Sequence, residues 1–99
     1  MLDVMQIIQF LQENRELFYR QYKVSKIGIF GSFARQQADE TSDIDVLIEF
    51  DQNQNLFETK LQIKNMMEER FHRSIDICRE KYLKPSVKEQ ILKETIYVR

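Results

Sequence analysis

Two short apolar runs, one closed and one opened by chemistry-bearing residues, constrain this chain more than anything else in it. Ile27-Gly28-Ile29-Phe30 ends in Gly31-Ser32, and after a polar stretch Asp43 and Asp45 open Val46-Leu47-Ile48. Residues i and i+2 of an extended strand share a face. Asp43 and Asp45 are therefore expected side by side at the start of a strand that is otherwise apolar. Two carboxylates held that close repel unless a cation sits between them. A Gly-Ser turn entering a helix offers backbone N–H groups to an anion. Divalent metal and phosphate together point to metal-assisted phosphoryl or nucleotidyl transfer. An isolated Asp-x-Asp reads more readily as a solvated turn in which Ser42 and Asp43 cap backbone groups. The order strand, Gly-Ser, short helix, gap, Asp-x-Asp strand is much rarer, and it carries the functional reading.

The remaining segments complete an αβαβαβα order. Val4, Ile7, Ile8 and Leu11 recur at helical spacing, with Leu17 and Phe18 beyond, which predicts one helix over about 3–19. Residues 24–30 read as a strand, and Ser32 as the cap of a short helix over about 33–37. Residues 38–42 carry loop chemistry and 43–50 form the second strand. A polar turn over 51–55 leads to a helix of about 56–71, whose paired Met66 and Met67 read as core filler. A short third strand is expected over 74–78, and a helix over 86–94 after Pro85 at its start, with 96–98 as an extended tail. The fold class is α/β (α+β): a small mixed sheet of three to four strands with helices mainly on one face.

At 99 residues this reads as one domain, 1–99. Two Gly and one Pro leave little room for linkers. The formal charge of −1 and pI near 5.8 give no strong case for direct nucleic-acid binding, which goes with a basic surplus. The single Cys78 excludes an internal disulfide and suits a reducing cytosol; as a side chain it reads as a small buried hydrophobe. No membrane span or leader is expected, so the predicted location is cytoplasmic. His72, in a polar helix end without a second His or Cys at ligand spacing, reads as a surface residue.

Gly31-Ser32, Ala34-Arg35, Ser42-Asp43 and Asp45 match the signature of the DNA polymerase beta-like nucleotidyltransferases. The chain most resembles the minimal nucleotidyltransferase branch, the MNT proteins that pair with HEPN toxins. The resemblance implies a third carboxylate on a later strand, and Asp76 in Ser74-Ile75-Asp76-Ile77-Cys78 fits that place. Lys84-Pro85 followed by a helix and Tyr97-Val98 is similar to the family tail. One departure is Gln36, where many members have Gly after Ala-Arg. Either the short helix runs on through Gln37-Ala38, or Gln36 bears the strain that a Gly would avoid.

The resemblance implies an enzyme that moves AMP, or another NMP, from an NTP such as ATP to a hydroxyl. Asp43, Asp45 and Asp76 are the expected catalytic and Mg2+-binding residues. Gly31, Ser32 and Arg35 are the expected nucleotide-binding residues, whereas Lys81 and Lys84 read as a solvated face. The chain has no separate substrate domain, so the acceptor is expected to come with a partner: a tyrosine of a HEPN-type ribonuclease toxin, with this chain as its antitoxin. The alternative is a catalytically weak binding module that neutralises its partner by occupancy. Retention of the three carboxylates and of Gly31-Ser32 argues against a degraded site.

Overall fold

The computed structural model describes residues 1–51 and 56–98. Helix α1 (Val4–Glu13) starts on a capping box: Asp3 accepts from the Gln6 amide and Gln6 accepts from the Asp3 amide. Its buried residues are Val4, Ile7, Ile8 and Leu11, as their spacing predicts. The expected single helix over 3–19 is in fact two. Asn14 leaves helical geometry and its side-chain amide donates to the Phe10 carbonyl at 2.8 Å, a local bond that competes with the helical ladder. Helix α2 (Arg15–Tyr22) then turns Phe18 into the core, and Lys23, at φ +58, closes it into the first strand.

Strands β1 (Val24–Phe30) and β2 (Ile44–Phe50) pair antiparallel, with Phe30 opposite Asp45. Helix α4 (Leu56–Phe71), which follows helix α3 (Gly31–Ala34) in chain order, leads into β3 (Ile75–Cys78), which pairs parallel to β2. A single 3-10 turn (Glu80–Tyr82), not foreseen from the sequence, precedes helix α5 (Pro85–Glu94). The expected extended tail is a strand, β4 (Ile96–Tyr97), antiparallel to β1. The sheet is four-stranded and mixed, in the order β3-β2-β1-β4. The polar turn expected over 51–55 lies, beyond Asp51, outside the described residues.

Strand parity divides the sheet. Ile27 and Ile29, Ile44, Val46 and Ile48, and Ile75 share one face and join Val4, Ile7, Ile8, Leu11, Phe18, Ile63 and Met67 in the core. The opposite face carries Phe30, Asp45, Leu47, Asp76 and Cys78 in register. The core of α1, α2 and α4 lies against one side; on the other, Phe30 and Leu47 are buried while Asp45 is half-buried and Asp76 exposed. Gly28 admits β4 there: a Cβ would sit 2.7 Å from Thr95 Cγ2 and 2.9 Å from the Ile96 carbonyl oxygen. Among the described residues no helix is long and apolar enough to cross a membrane.

Candidate active site

Three strand ends meet on the sheet face opposite the α1, α2 and α4 core. Asp45 lies in β2, beside Asp76 in β3 and opposite Phe30 in β1. It is partly buried, and burial first, then the neighbouring Asp76 and Asp43 carboxylates, push its pKa up to about 6. Arg35 acts in the other direction. Asp43 is exposed and just precedes β2 rather than opening its ladder. It is delivered by a tight loop in which Asp39 Oδ1 accepts from the Thr41 amide (2.9 Å), the Thr41 hydroxyl (2.8 Å) and the Ser42 hydroxyl (3.2 Å). Arg73 ties the same loop down by donating to the carbonyls of Asp39 and Ser42. Ser42 thus does the capping work of a structured turn, while Asp43 stays free for the site. Asp76 is exposed on the edge strand.

Gly31 holds the centre. Its φ of +75 is a left-handed conformation, and a Cβ on it would overlap Asp45 Oδ2 and lie 2.9 Å from Asp45 Cγ. Only glycine lets the turn and the carboxylate approach so closely. Helix α3 begins at Gly31, two residues earlier than expected, so Ser32 lies within its first turn and makes no side-chain cap. The helix stops at Ala34, and Gln36 takes φ +59. Of the two readings of this departure, the strained turn is the one realised, at a cost of about 1–2 kcal/mol for a residue with a Cβ.

Glu94, at the end of α5, was not foreseen. It accepts from the Gly31 amide at 2.7 Å and from Arg35 Nη1 at 3.1 and 3.2 Å. Arg35 is thereby held beside the turn, and its Nε donates to Gln37. An acidic residue in the last turn of a helix opposes the macrodipole; that misplacement was the available signal, since a partner 63 residues away leaves no local pattern. Burial, with Asp76 and Asp45 nearby, pushes the Cys78 thiol up, consistent with an apolar filler rather than a nucleophile.

Among the described residues no three His, Cys, Asp or Glu side chains are gathered so as to cage an ion by themselves. Asp45 is nevertheless half-buried and repelled by Asp76 and Asp43, with Arg35 opposing that only in part. That combination fits Mg2+, which takes one or two carboxylates and completes its shell with substrate phosphate and water.

The sequence profile described as Polymerase beta, Nucleotidyltransferase matches residues 6–99. The chain belongs to this nucleotidyltransferase family. Among its relatives, the protein adenylyltransferase MntA of Thermococcus cleftensis is 28% identical over 98 residues, covering 99% of this chain and 98% of its own. A Methanocaldococcus jannaschii relative, named as a protein adenylyltransferase by inference, is 34% identical over 95 residues, covering 94% and 95% of the two chains. The structure of a minimal nucleotidyltransferase superposes with a TM-score of 0.75 at 28% identity, over 96% of this chain and 95% of that one. The fold is shared with a toxin-antitoxin MntA-HpeT structure at a TM-score of 0.64 and 17% identity, over 100% and 73% of the two chains. The chain is thus a nucleotidyltransferase with the minimal form of the fold.

In this nucleotidyltransferase the Glu94 contacts are expected to matter for stability. Glu94→Ala strips an acceptor from the Gly31 amide and an ion partner from Arg35, and should cost about 1–3 kcal/mol. Glu94→Gln, which keeps a neutral acceptor for Gly31, should recover part of that. Urea unfolding of the pair checks it; an alanine variant as stable as wild type would mean that the clamp is not formed in solution.

Proposed function

We propose that this chain transfers AMP from ATP to a tyrosine hydroxyl of a HEPN-type toxin and so acts as its antitoxin in a reducing cytosol, folded as one domain over residues 1–99. The observation that carries the reading is Asp45, whose partly buried carboxylate is set against Asp76 and Asp43 with its pKa pushed up to about 6. Such a group calls for a cation. Asp45 and Asp43 would hold Mg2+, with Asp76 as a further ligand or as the base. Mg2+ bound there would neutralise charge on the departing pyrophosphate.

The other roles follow from position. Gly31 lets backbone approach the phosphates, Ser32 offers its hydroxyl and amide, and Arg35 stands one turn further on. A tyrosine hydroxyl has a pKa of about 10, so at neutral pH its proton needs an acceptor, and Asp76, exposed on the edge strand, is a carboxylate that can take it. Support for a protein acceptor comes from the name of the Thermococcus cleftensis relative, and for a toxin partner from the toxin-antitoxin structure that shares the fold.

The test is to co-express a HEPN-type toxin with wild type and with Asp76→Ala, purify the toxin under denaturing conditions and weigh it. The expected result is one or more added AMP units with wild type, and a loss of roughly 10²–10⁴ in modification rate without Asp76, the worth of a general base. A toxin left unmodified yet silenced by both proteins would instead assign the chain to neutralisation by occupancy.

A further inference from the structure

Beyond Asp76 the free edge of β3 faces an open cleft of about 450 Å3, walled by α4 on one side and by the 3-10 turn on the other. On α4, beside Leu56 at its start, Phe57, Lys60, Leu61 and Lys64 face it. Their spacing, i, i+3, i+4 and i+7, makes one continuous stripe. This is not the stripe that builds the core, which uses Ile63 and Met67. Phe57 is 81% and Leu61 45% exposed, and across the cleft Tyr82 is 71% exposed. Tyr82 is set there by a fixed turn: Arg79 pairs with Glu49 at 3.1 Å, and Glu80 accepts from Lys26 (2.9 Å) and from the Tyr97 hydroxyl (3.0 Å). Neither Lys60 nor Lys64 forms an ion pair among the described residues.

We propose that this cleft is the acceptor subsite, and that it takes an extended protein segment in which acidic and apolar side chains flank the hydroxyl to be modified. The inference rests on the adenylyl-transfer reading and deepens it. Its geometric basis is the sheet order. The Gly31-Ser32 turn closes β1, Asp45 lies on β2 and Asp76 on β3. Attacking and leaving oxygens stand roughly in line through the phosphorus. With pyrophosphate leaving on the β1 side, the nucleophile must arrive from the β3 side, where the cleft opens and Asp76 forms its wall. The hydroxyl oxygen then bonds to the α-phosphorus, the bond from that phosphorus to the oxygen bridging to the β-phosphate breaks, pyrophosphate carries away the electron pair, and the hydroxyl proton passes to Asp76.

The side chains select the acceptor. Exposed Phe57, Leu61 and Tyr82 give apolar contact, and Lys60 and Lys64, without an ion pair among the described residues, give positive charge that acidic flanks complement. A nucleic-acid acceptor fits less well. It asks for a basic track along a backbone, whereas the chain as a whole carries a charge of −1.

The test uses the full chain, Mg2+-ATP and two synthetic peptides, each with one tyrosine, flanked by Glu and Leu in the first and by Lys and Leu in the second. Wild type is expected to modify the Glu-flanked peptide roughly tenfold better in kcat/KM, and the double variant Lys60→Glu/Lys64→Glu to reverse that preference. Phe57→Ala should raise KM for both peptides. Titration calorimetry should give the same Kd for Mg2+-ATP in all variants. A weakened Mg2+-ATP Kd in the cleft variants would make this a nucleoside site and overturn the inference. Equal use of both peptides, or transfer to an oligonucleotide 3′-hydroxyl in preference to either, would overturn it as well. Wild type that binds Mg2+-ATP but modifies neither peptide overturns the acceptor inference alone. Wild type that does not bind Mg2+-ATP overturns the adenylyl-transfer reading, and the inference falls with it.

Discussion

Asp45→Asn is expected to lower nucleotidyl transfer by about 10³ or more while leaving the metal-free protein folded and, above neutral pH, more stable than wild type. In the role proposed for Asp45, the rate loss follows from removing a carboxylate that would hold an ion stabilising transition-state charge by several kcal/mol, at tenfold per 1.36 kcal/mol. The stability gain follows from burial and from the Asp76 and Asp43 charges, which push the Asp45 pKa up from 3.8 to about 6 in the folded state. Between those pH values the native state holds a proton that the unfolded state releases. The penalty from this group is therefore full above about pH 6 and is relieved as pH falls toward the unfolded value. Melting of the metal-free protein from neutral pH downward should show wild type gaining on the Asn variant. Mg2+-ATP should raise the wild-type melting temperature and leave that of Asp45→Asn nearly unmoved. A variant that keeps the wild-type Mg2+-ATP shift would remove Asp45 from the metal site.

Gly31→Ala should produce the second large effect, and by a different route. At φ +75 an alanine is strained by about 1–2 kcal/mol, which a small domain of ordinary stability survives. The activity loss should be larger. The added methyl would overlap Asp45 Oδ2 and crowd Cγ at 2.9 Å, and that clash can be relieved only by moving the carboxylate or the turn. Displacements of that order cost about 10²-fold in rate. The variant is expected to unfold cooperatively at a modestly lower urea midpoint, yet to lose at least that factor in kcat. Near wild-type kcat in a folded Gly31→Ala protein would show that the close packing of turn and carboxylate is not needed for transfer.

What the sequence disclosed was what short periods encode. Alternation along β1 and β2 and the helical spacing of Val4, Ile7, Ile8 and Leu11 each rest on neighbours within a few residues; Asp76 follows from the family resemblance, and the structure puts Asp45 and Asp76 in register. The misreadings lie where a side chain overrides a period. Asn14 divides one helical pattern into two by bonding Phe10. Ser32 looks like a cap but sits inside a helix that starts at Gly31, because the glycine itself makes the turn. Gln36 adopts a conformation its side chain disfavours, and only the family comparison hinted at it. Glu94 and the pairing of Ile96 and Tyr97 with β1 are long-range partnerships that no window of sequence reports.

The Glu94 clamp also bears on timing. The ribosome releases Gly31, Asp43, Asp45 and Asp76 before it makes Glu94 and the strand that follows. A nascent chain that exposes every carboxylate of the site still has an unheld Gly31 amide, a free Arg35 and an uncovered outer edge on β1. Contacts of such long sequence separation form late. The end of the protein around Gly31 and Arg35 is therefore assembled last, and an interrupted translation product ending before α5 carries the acidic residues without the grip that shapes their surroundings.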